Sequence, residues 1–340
     1  MVERVLARMA SLQILGRSPV GAYLRLNEWI WDRLPRSVTA RRPVRSFGHL
    51  VHSLVRLQDR QMYLGTFFLR NRPELELIGR LSKSKGKDRA VKIAILGPSN
   101  GAEVYSIAWA VRSAHPEVEL RMEAVDISAE VVEAAQKGVY RVGRSELVDE
   151  PIFDRMTAKE MEDMFDRNGD WLRVKPWIKE GIVWRVGDAA DPGLAAALGP
   201  QDMVVANRFL CHMRPLEAEE CLRNLARLVA PGGLLFVSGV DLDVRTKVAT
   251  ALGWKPVPDL LEEIHEGDPS LRASWPHRYW GLEPIDKGRP DWMIRYASVF
   301  QLGASPQGQD GTTDRLRQGA GEATSAGPSS PSRDHRSSRE

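Results

Sequence analysis

Apolar positions along this chain switch between two periods. Residues 91–96 form a continuous apolar run and read as a buried strand. A turn follows, with Gly97 and Gly101 flanking Pro98, Ser99 and Asn100. Glu103, Val104, Ile107, Ala108 and Val111 then recur at helical spacing. The same alternation continues downstream. Residues 120–126 read as a second strand ending in Asp126, 128–137 as a helix, and 157–168 as a charged helical insertion. Residues 182–188 read as a third strand ending in Asp188, and 201–207 as a buried fourth strand ending in Asn207 and Arg208. Pro215 opens a helix over 216–229, 230–239 give a turn and a fifth strand, and 244–252 a further helix. Residues 292–300 alternate enough to predict a late antiparallel strand. Strands alternating with helices predict an α/β fold with a doubly wound, mainly parallel sheet.

Upstream, residues 23–34 and 47–57 have the pattern of short helices with one apolar side, punctuated by Pro35 and Pro43. Residues 61–80 lead into a helix begun by Pro73, and the lysine-rich 82–89 reads as a loop before the first strand. From about Gly303 the composition turns to Gly, Ser, Pro, Gln, Arg and Asp, which cannot build a core. The expected organisation is therefore a basic helical segment over 1–88, a ligand-binding domain over 89–302, and a disordered tail over 303–340. No internal repeat is visible.

Composition narrows the class. At 340 residues, 43% hydrophobic and with ten tryptophans, the chain can bury a sizeable core. No apolar stretch is long enough to span a membrane, and the opening residues do not lead into a signal-peptide core. Cys211 and Cys221 are too few for a disulfide framework or zinc site, so no metal is expected and a reducing cytoplasm is the simplest home. The net charge of +3 is unevenly placed: residues 1–60 carry eleven arginines against four acids. That leader can dock on an acidic protein, nucleic acid or anionic lipid, or stand as a solvated helical face. Without aromatic and basic residues interleaved, nucleic acid is a weak option.

The glycine turn indicates the ligand. No Gly-Lys-Ser/Thr phosphate loop is present, and Gly97-x-x-x-Gly101 followed by Glu103 is not a dinucleotide fingerprint. An acid at the helix entrance opposes a pyrophosphate but suits cationic groups, such as the sulfonium and ammonium of S-adenosylmethionine. Asp126, at the second strand tip, is placed to bond the hydroxyls of an adenosine ribose. The competing reading is that Glu103 and Asp126 merely cap helices.

These residues together resemble the CheR-type S-adenosylmethionine-dependent methyltransferases, whose chemotaxis members esterify receptor glutamates. The resemblance rests on Gly97-Pro-Ser-Asn-Gly-Ala-Glu-Val-Tyr-Ser106, Ala124-Val-Asp-Ile-Ser128, Ala135 with Gly138 and Tyr140, Thr66-Phe-Phe-Leu-Arg70, and Pro231-Gly-Gly-Leu-Leu235. In order, they cover roughly residues 63–239. The resemblance implies a Rossmann-like methyltransferase sheet with S-adenosyl-L-methionine as cofactor. It places Thr66, Arg70, Glu103 and Asp126 at the cofactor, together with Gly97, Ser99, Gly101, Ile127, Asp188, Ala189, Asn207 and Arg208. Asp188 stands where the family has Asn, and Asn207-Arg208 inverts its Arg-Asn.

Other departures bear on the acceptor. Ala102 replaces a family Glu, Ser128 a family Asp, and His212-Met213 a family Tyr-Phe. No counterpart of the small β-subdomain that grips a receptor tail is evident. The expected reaction is methyl transfer to a carboxylate or hydroxyl oxygen, protein glutamate being the family precedent. Arg70 would hold a carboxylate acceptor, and His212 is the candidate base for a hydroxyl, against a plain packing role. Trp275, His277, Arg278, Tyr279 and Trp280 form a cluster that either lines an acceptor pocket or packs as core. A non-catalytic module that senses S-adenosylmethionine or binds a partner, and a nicotinamide-dependent oxidoreductase, are the other classes the sequence leaves open.

Overall fold

Residues 19–39, 41–55, 66–86, 89–142, 152–267, 275–277 and 283–303 are described in the computed structural model of the protein. Helices α1 (Pro19–Trp31), α2 (Arg36–Thr39), α3 (Arg42–Val55) and α4 (Arg72–Lys85) come first. Then follow β1 (Val91–Leu96), α5 (Ala102–Ala114), β2 (Leu120–Asp126) and α6 (Ala129–Lys137). An excursion through β3 (Val139–Arg141), α7 (Ala158–Met164), β4 (Phe165–Asn168), β5 (Trp171–Val174) and α8 (Pro176–Lys179) interrupts the alternation. It resumes with β6 (Ile182–Val186), α9 (Leu194–Leu198), β7 (Gln201–Asn207), α10 (Pro215–Leu228), β8 (Val229–Ser238) and α11 (Leu242–Ala251). The chain closes through β9 (Lys255–Pro256), α12 (Leu261–Glu266), α13 (Trp292–Tyr296) and β10 (Val299–Gln301).

The main sheet has seven strands in the order β6-β2-β1-β7-β8-β10-β9. Its first five strands pair in parallel, and β10 runs antiparallel to both β8 and β9. Strand alternation divides the core into two layers. Ile93, Ile95, Met203, Val205, Leu234 and Phe236 point to the face covered by α4 and α5. Ala94, Leu96, Val204, Ala206, Leu235 and Val237 point to the face covered by α10 and α11. Burial on both faces explains why these strands read as continuous apolar runs rather than alternating ones. Helix ends follow local chemistry: Ser128 accepts the Val131 N–H at 3.4 Å to start α6, and Gly138, at φ 61°, ends it.

The structure corrects four sequence expectations. Residues 292–300 are not one strand but α13 followed by β10. Arg295 Nε donates to Glu283 Oε1 at 2.6 Å and the adjacent Tyr296 hydroxyl to the same oxygen at 3.1 Å. Consecutive side chains of a strand point to opposite faces and could not both reach it. The charged insertion is helical only to Met164. Phe165–Asn168 then turns through Gly169, at φ 60°, and Asp170 into β5. A small three-stranded antiparallel sheet, β3-β5-β4, therefore exists where no separate β unit was expected. The 82–89 stretch is not all loop, because α4 continues to Lys85 and closes with the Gly86 N–H on the Ser82 carbonyl at 2.8 Å. Finally, Pro231-Gly232-Gly233 makes no separate turn. It bulges within β8, where Gln201 pairs with Val229 but Met203 already pairs with Leu234. The expected tail from 304 onward lies outside the described residues.

Candidate functional site

In an open α/β sheet the ligand crevice forms beyond the carboxyl ends of the strands, where strand order reverses. Here that point lies between β1 and β7. The turn after β1 is held in an uncommon conformation: Gly97, Ser99 and Gly101 all have positive φ, at 65°, 52° and 87°. At Gly97 a Cβ would press on the Phe209 ring at 3.0 Å. At Gly101 it would meet Trp184 at 3.0 Å. Glycine suits both positions, since the positive φ would strain a larger residue and an added Cβ would force those side chains to give by a few tenths of an ångström. The Ser99 N–H donates to Asp126 Oδ2 at 3.0 Å, and the Ser128 N–H to Asp126 Oδ1 at 3.2 Å. Asp126 thus ties the β1 turn to the β2 turn, while the cap of α6 is Ser128. Glu103 does not cap α5 either; its Oε1 accepts from Asn207 Nδ2 at 2.9 Å.

A cleft of about 220 Å³ opens at this reversal point. Of the expected cofactor-binding residues, Thr66, Arg70, Gly97, Ser99, Glu103, Asp126, Ile127, Asp188, Ala189, Asn207 and Arg208 line it, as does His212. Gly101 does not; it sits one step behind, against Trp184 and Tyr105. Asp188 is exposed at the rim, its Oδ1 accepting the Ala190 N–H at 2.8 Å.

The segment before α4 forms one wall. The Leu69 N–H, at a residue with φ 52°, donates to Ser106 Oγ at 2.9 Å, and Phe68 is wholly buried among Tyr140, Phe153 and Phe165. The insertion before β4 pins the same segment. Arg155 Nη1 donates to the Arg70 carbonyl at 2.6 Å, and Arg72 makes a fork on Glu160 at 2.6 and 2.9 Å. That fork holds the Glu160 carboxyl down at about 2. The segment that carries Thr66 and Arg70 is therefore positioned by residues more than eighty positions away, as well as by its junction with α4.

At the rear, Asn207 Nδ2 donates to Glu74 Oε1 at 2.7 Å as well as to Glu103, and the Ser238 hydroxyl donates to Asn207 Oδ1 at 2.7 Å. Glu103 is deeply set but open to the cleft on one side, and burial raises its carboxyl above the ordinary range. Glu74 is fully enclosed; burial first, and the Glu103 charge second, push its carboxyl up to about 7. Arg208 follows with φ 66°, its N–H on the Ser238 carbonyl at 2.9 Å. Gly239 packs so closely that a Cβ would stand 2.6 Å from Arg208 Cα. Sparsely populated backbone conformations thus gather around the cleft, as they do at sites built to hold a ligand.

Several lining residues were missed by sequence reasoning. Val125, Gly187 and Phe209 complete the cleft together with Met213, and Glu74 and Ser238 complete its rear; of these the sequence singles out only Met213, as a departure near the acceptor. Glu74 reads in the sequence as an ordinary first-turn acid after Pro73, which hides it. Trp275, of the aromatic cluster, packs edge-on against Trp31 at 5.7 Å and His49 at 5.3 Å, away from the cleft. It is buried against the N-terminal helices; Arg278, Tyr279 and Trp280 lie outside the described residues. Both cysteines are buried thiols outside any disulfide.

The parts fit an adenosyl-amino-acid ligand. Asp126, with both oxygens oriented, stands at the β2 tip, and Glu103, Arg70 and Arg208 border the same cleft, so groups of both charges face it. Fold and site together define the class of S-adenosylmethionine-binding methyltransferases. Residues 65–246, more than half the chain, match the family described as CheR methyltransferase, SAM binding domain, and the chain belongs to that family. Its cofactor is S-adenosyl-L-methionine. The chain is 29% identical over 181 residues to the probable biofilm formation methyltransferase WspC of Pseudomonas aeruginosa, covering 52% of this chain and 41% of that protein. Over 202 residues it is 27% identical to its Pseudomonas putida counterpart, covering 58% and 44%. It therefore spans less than half the length of either relative. Among solved structures, N-methyltransferase NodS of Bradyrhizobium japonicum is similar at 16% identity and TM-score 0.33, covering 62% of this chain and 87% of that one. Magnesium protoporphyrin IX methyltransferase of Synechocystis is similar at 15% and 0.32, covering 62% and 82%.

Proposed function

We propose that this chain is a CheR-type methyltransferase that moves a methyl group from S-adenosyl-L-methionine to a carboxylate or hydroxyl oxygen. The observation that carries the reading is the family match laid over a cleft in which Asp126, Glu103 and Arg70 meet. The bound cofactor supplies an electrophilic methyl on a sulfonium; the protein's task is alignment, exclusion of water and charge complementarity. In this reading Asp126 takes the ribose hydroxyls, Glu103 the ammonium, and Arg70 with Arg208 the amino-acid carboxylate. Thr66, Gly97, Ser99, Ile127, Asp188, Ala189 and Asn207 shape the remaining walls, while Gly101 acts by turning the loop into α5. A carboxylate acceptor arrives already ionised and needs no base at neutral pH, so Arg70 would suffice to steer it. For a hydroxyl acceptor, His212 on the cleft wall would take the proton.

Among the described residues no helix is long and apolar enough to cross a membrane. An acidic protein acceptor or partner is supported by Arg25, Arg33, Arg41 and Arg42, all exposed along the N-terminal helical segment. A division into the helical segment 1–88, the domain 89–302 and the tail 303–340, working in a reducing cytoplasm, completes the proposal. Calorimetry with S-adenosylhomocysteine on wild type, Glu103→Ala and Asp126→Ala tests the cofactor site. Labelled-methyl transfer to acidic proteins against hydroxyl acceptors tests the oxygen. Binding by wild type that both variants lose is expected; a well-folded wild type that binds nothing would overturn the reading. Binding without transfer to any acceptor would instead favour a sensing module.

A further inference from the structure

Behind the cleft lies a space of about 20 Å³ walled by Arg70, Glu74, Glu103, Asn207, Arg208 and Ser238. It has room for about one water molecule. Glu103 borders both this space and the cleft, whereas Glu74 borders only the rear space. One amide serves both acids, Asn207 giving an N–H to each at 2.7 and 2.9 Å. Turning that amide over would set its own oxygen against two carboxyl groups and break its bond from Ser238. The second oxygen of Glu74, Oε2, is buried and meets no hydrogen-bond partner among the described residues. Left as a carboxylate oxygen it is desolvated charge; as a carboxylic O–H it can donate into the rear space.

We propose that Glu74 is a proton-bearing positioning residue for cofactor binding. Before the cofactor binds, it and Glu103 share one negative charge through Asn207, and the ammonium group, which the cofactor and S-adenosylhomocysteine both carry, drives the Glu74 proton out to solvent. The inference rests on the cofactor reading given above. Two buried carboxyls on one donor do not both ionise cheaply, and a cation beside the pair removes the penalty. On release the Glu74 O–H bond breaks, its electron pair stays on the carboxylate, and the proton leaves as hydronium through the rear space; nothing is oxidised or reduced.

Among the described residues the ionisable groups facing Glu74 are Arg70 ahead of α4, Glu103 on α5 and Arg208 after β7. On α12, which packs against α4, His265 bonds the Glu283 carbonyl at 2.7 Å, and Glu262, Glu263 and Glu266 are exposed. Glu76 and Arg80, on α4 itself, face outward and pair with each other. Against the two arginines, burial and Glu103 prevail and hold the Glu74 carboxyl up to about 7. A group whose proton is lost on binding makes affinity rise with pH up to that value and level off above it.

The test is calorimetry of S-adenosylhomocysteine binding to the full chain near neutral pH, in two buffers of different ionisation enthalpy. Wild type should release a large fraction of a proton, and its affinity should tighten by up to about tenfold per pH unit below about pH 7. Glu74→Gln should release none and bind with an affinity flat in pH. A purely structural Glu74 would weaken binding equally at every pH and leave the proton count unchanged. Infrared difference spectra of wild type alone should lose the carbonyl band of a protonated carboxylic acid when the ligand binds, a readout that does not depend on the variant folding. Binding with no proton release and no band loss, or an equal proton count in Glu74→Gln, overturns the proposal. No binding at all by folded wild type overturns the cofactor reading first, and this proposal with it.

Discussion

Asp126→Asn is isosteric, yet the structure predicts that it is not conservative. Both carboxylate oxygens already accept backbone N–H groups, from Ser99 at 3.0 Å and Ser128 at 3.2 Å. An asparagine offers one acceptor oxygen, so its NH2 must face one of those donors. The Ser99 N–H is fully buried and the Ser128 N–H only partly. The amide will therefore turn its nitrogen toward Ser128, whose orphaned donor can still find water. That places the folding cost at the low end of about 1–3 kcal/mol for an unsatisfied donor. The same turn loosens the cap of α6 and removes the ionised acceptor available to ribose hydroxyls. Hydrogen bonds to charged groups contribute about 1.5–3 kcal/mol each, so binding should weaken by about 2–4 kcal/mol, roughly thirtyfold to a thousandfold. Urea unfolding followed by circular dichroism reads the first number, and calorimetry with S-adenosylhomocysteine the second. Unchanged stability together with unchanged affinity would refute the argument that both oxygens of Asp126 are committed.

Three further outcomes follow from the same geometry. Glu74 has its carboxyl raised in the folded chain from an ordinary 4.5 to about 7, so the fold holds its proton more tightly than the unfolded chain does. Its contribution to stability is present below about pH 4.5 and lost as pH rises through about 7. Across that window Glu74→Gln should gain on wild type by up to about 3 kcal/mol in urea unfolding, and a difference independent of pH would contradict this. Gly239→Ala puts a Cβ 2.6 Å from Arg208 Cα at a residue with φ 62°. Thermal unfolding should show a loss of about 2 kcal/mol or more, accompanied by lost cofactor binding as Arg208 is displaced. Phe68→Ala empties a wholly buried position among three other aromatic rings. About 3–5 kcal/mol should be lost on unfolding, with weaker S-adenosylhomocysteine binding because Thr66 and Arg70 lose their backing.

By itself the sequence determined the strands and their order of chemistry. Buried parallel strands must be apolar on both faces, so β1 and β7 announce themselves, and an acid at a strand tip, as at the end of β2, is visible in one dimension. The glycine turn was equally legible, since φ values of 65° and 87° with side chains crowding the missing Cβ favour glycine. Tertiary structure decided what pairing across long separations decides. Whether 292–300 was strand or helix depended on Arg295 and Tyr296 both reaching Glu283, and the β3-β5-β4 sheet on strands brought together across an insertion. Glu74 looked like a first-turn acid until the fold set it 2.7 Å from an amide 133 positions later in the chain. Periodicity records which face of an element is buried; it does not record which buried polar group meets which. That pairing, with the desolvation that raises the Glu74 carboxyl, exists only once the sheet has closed over it.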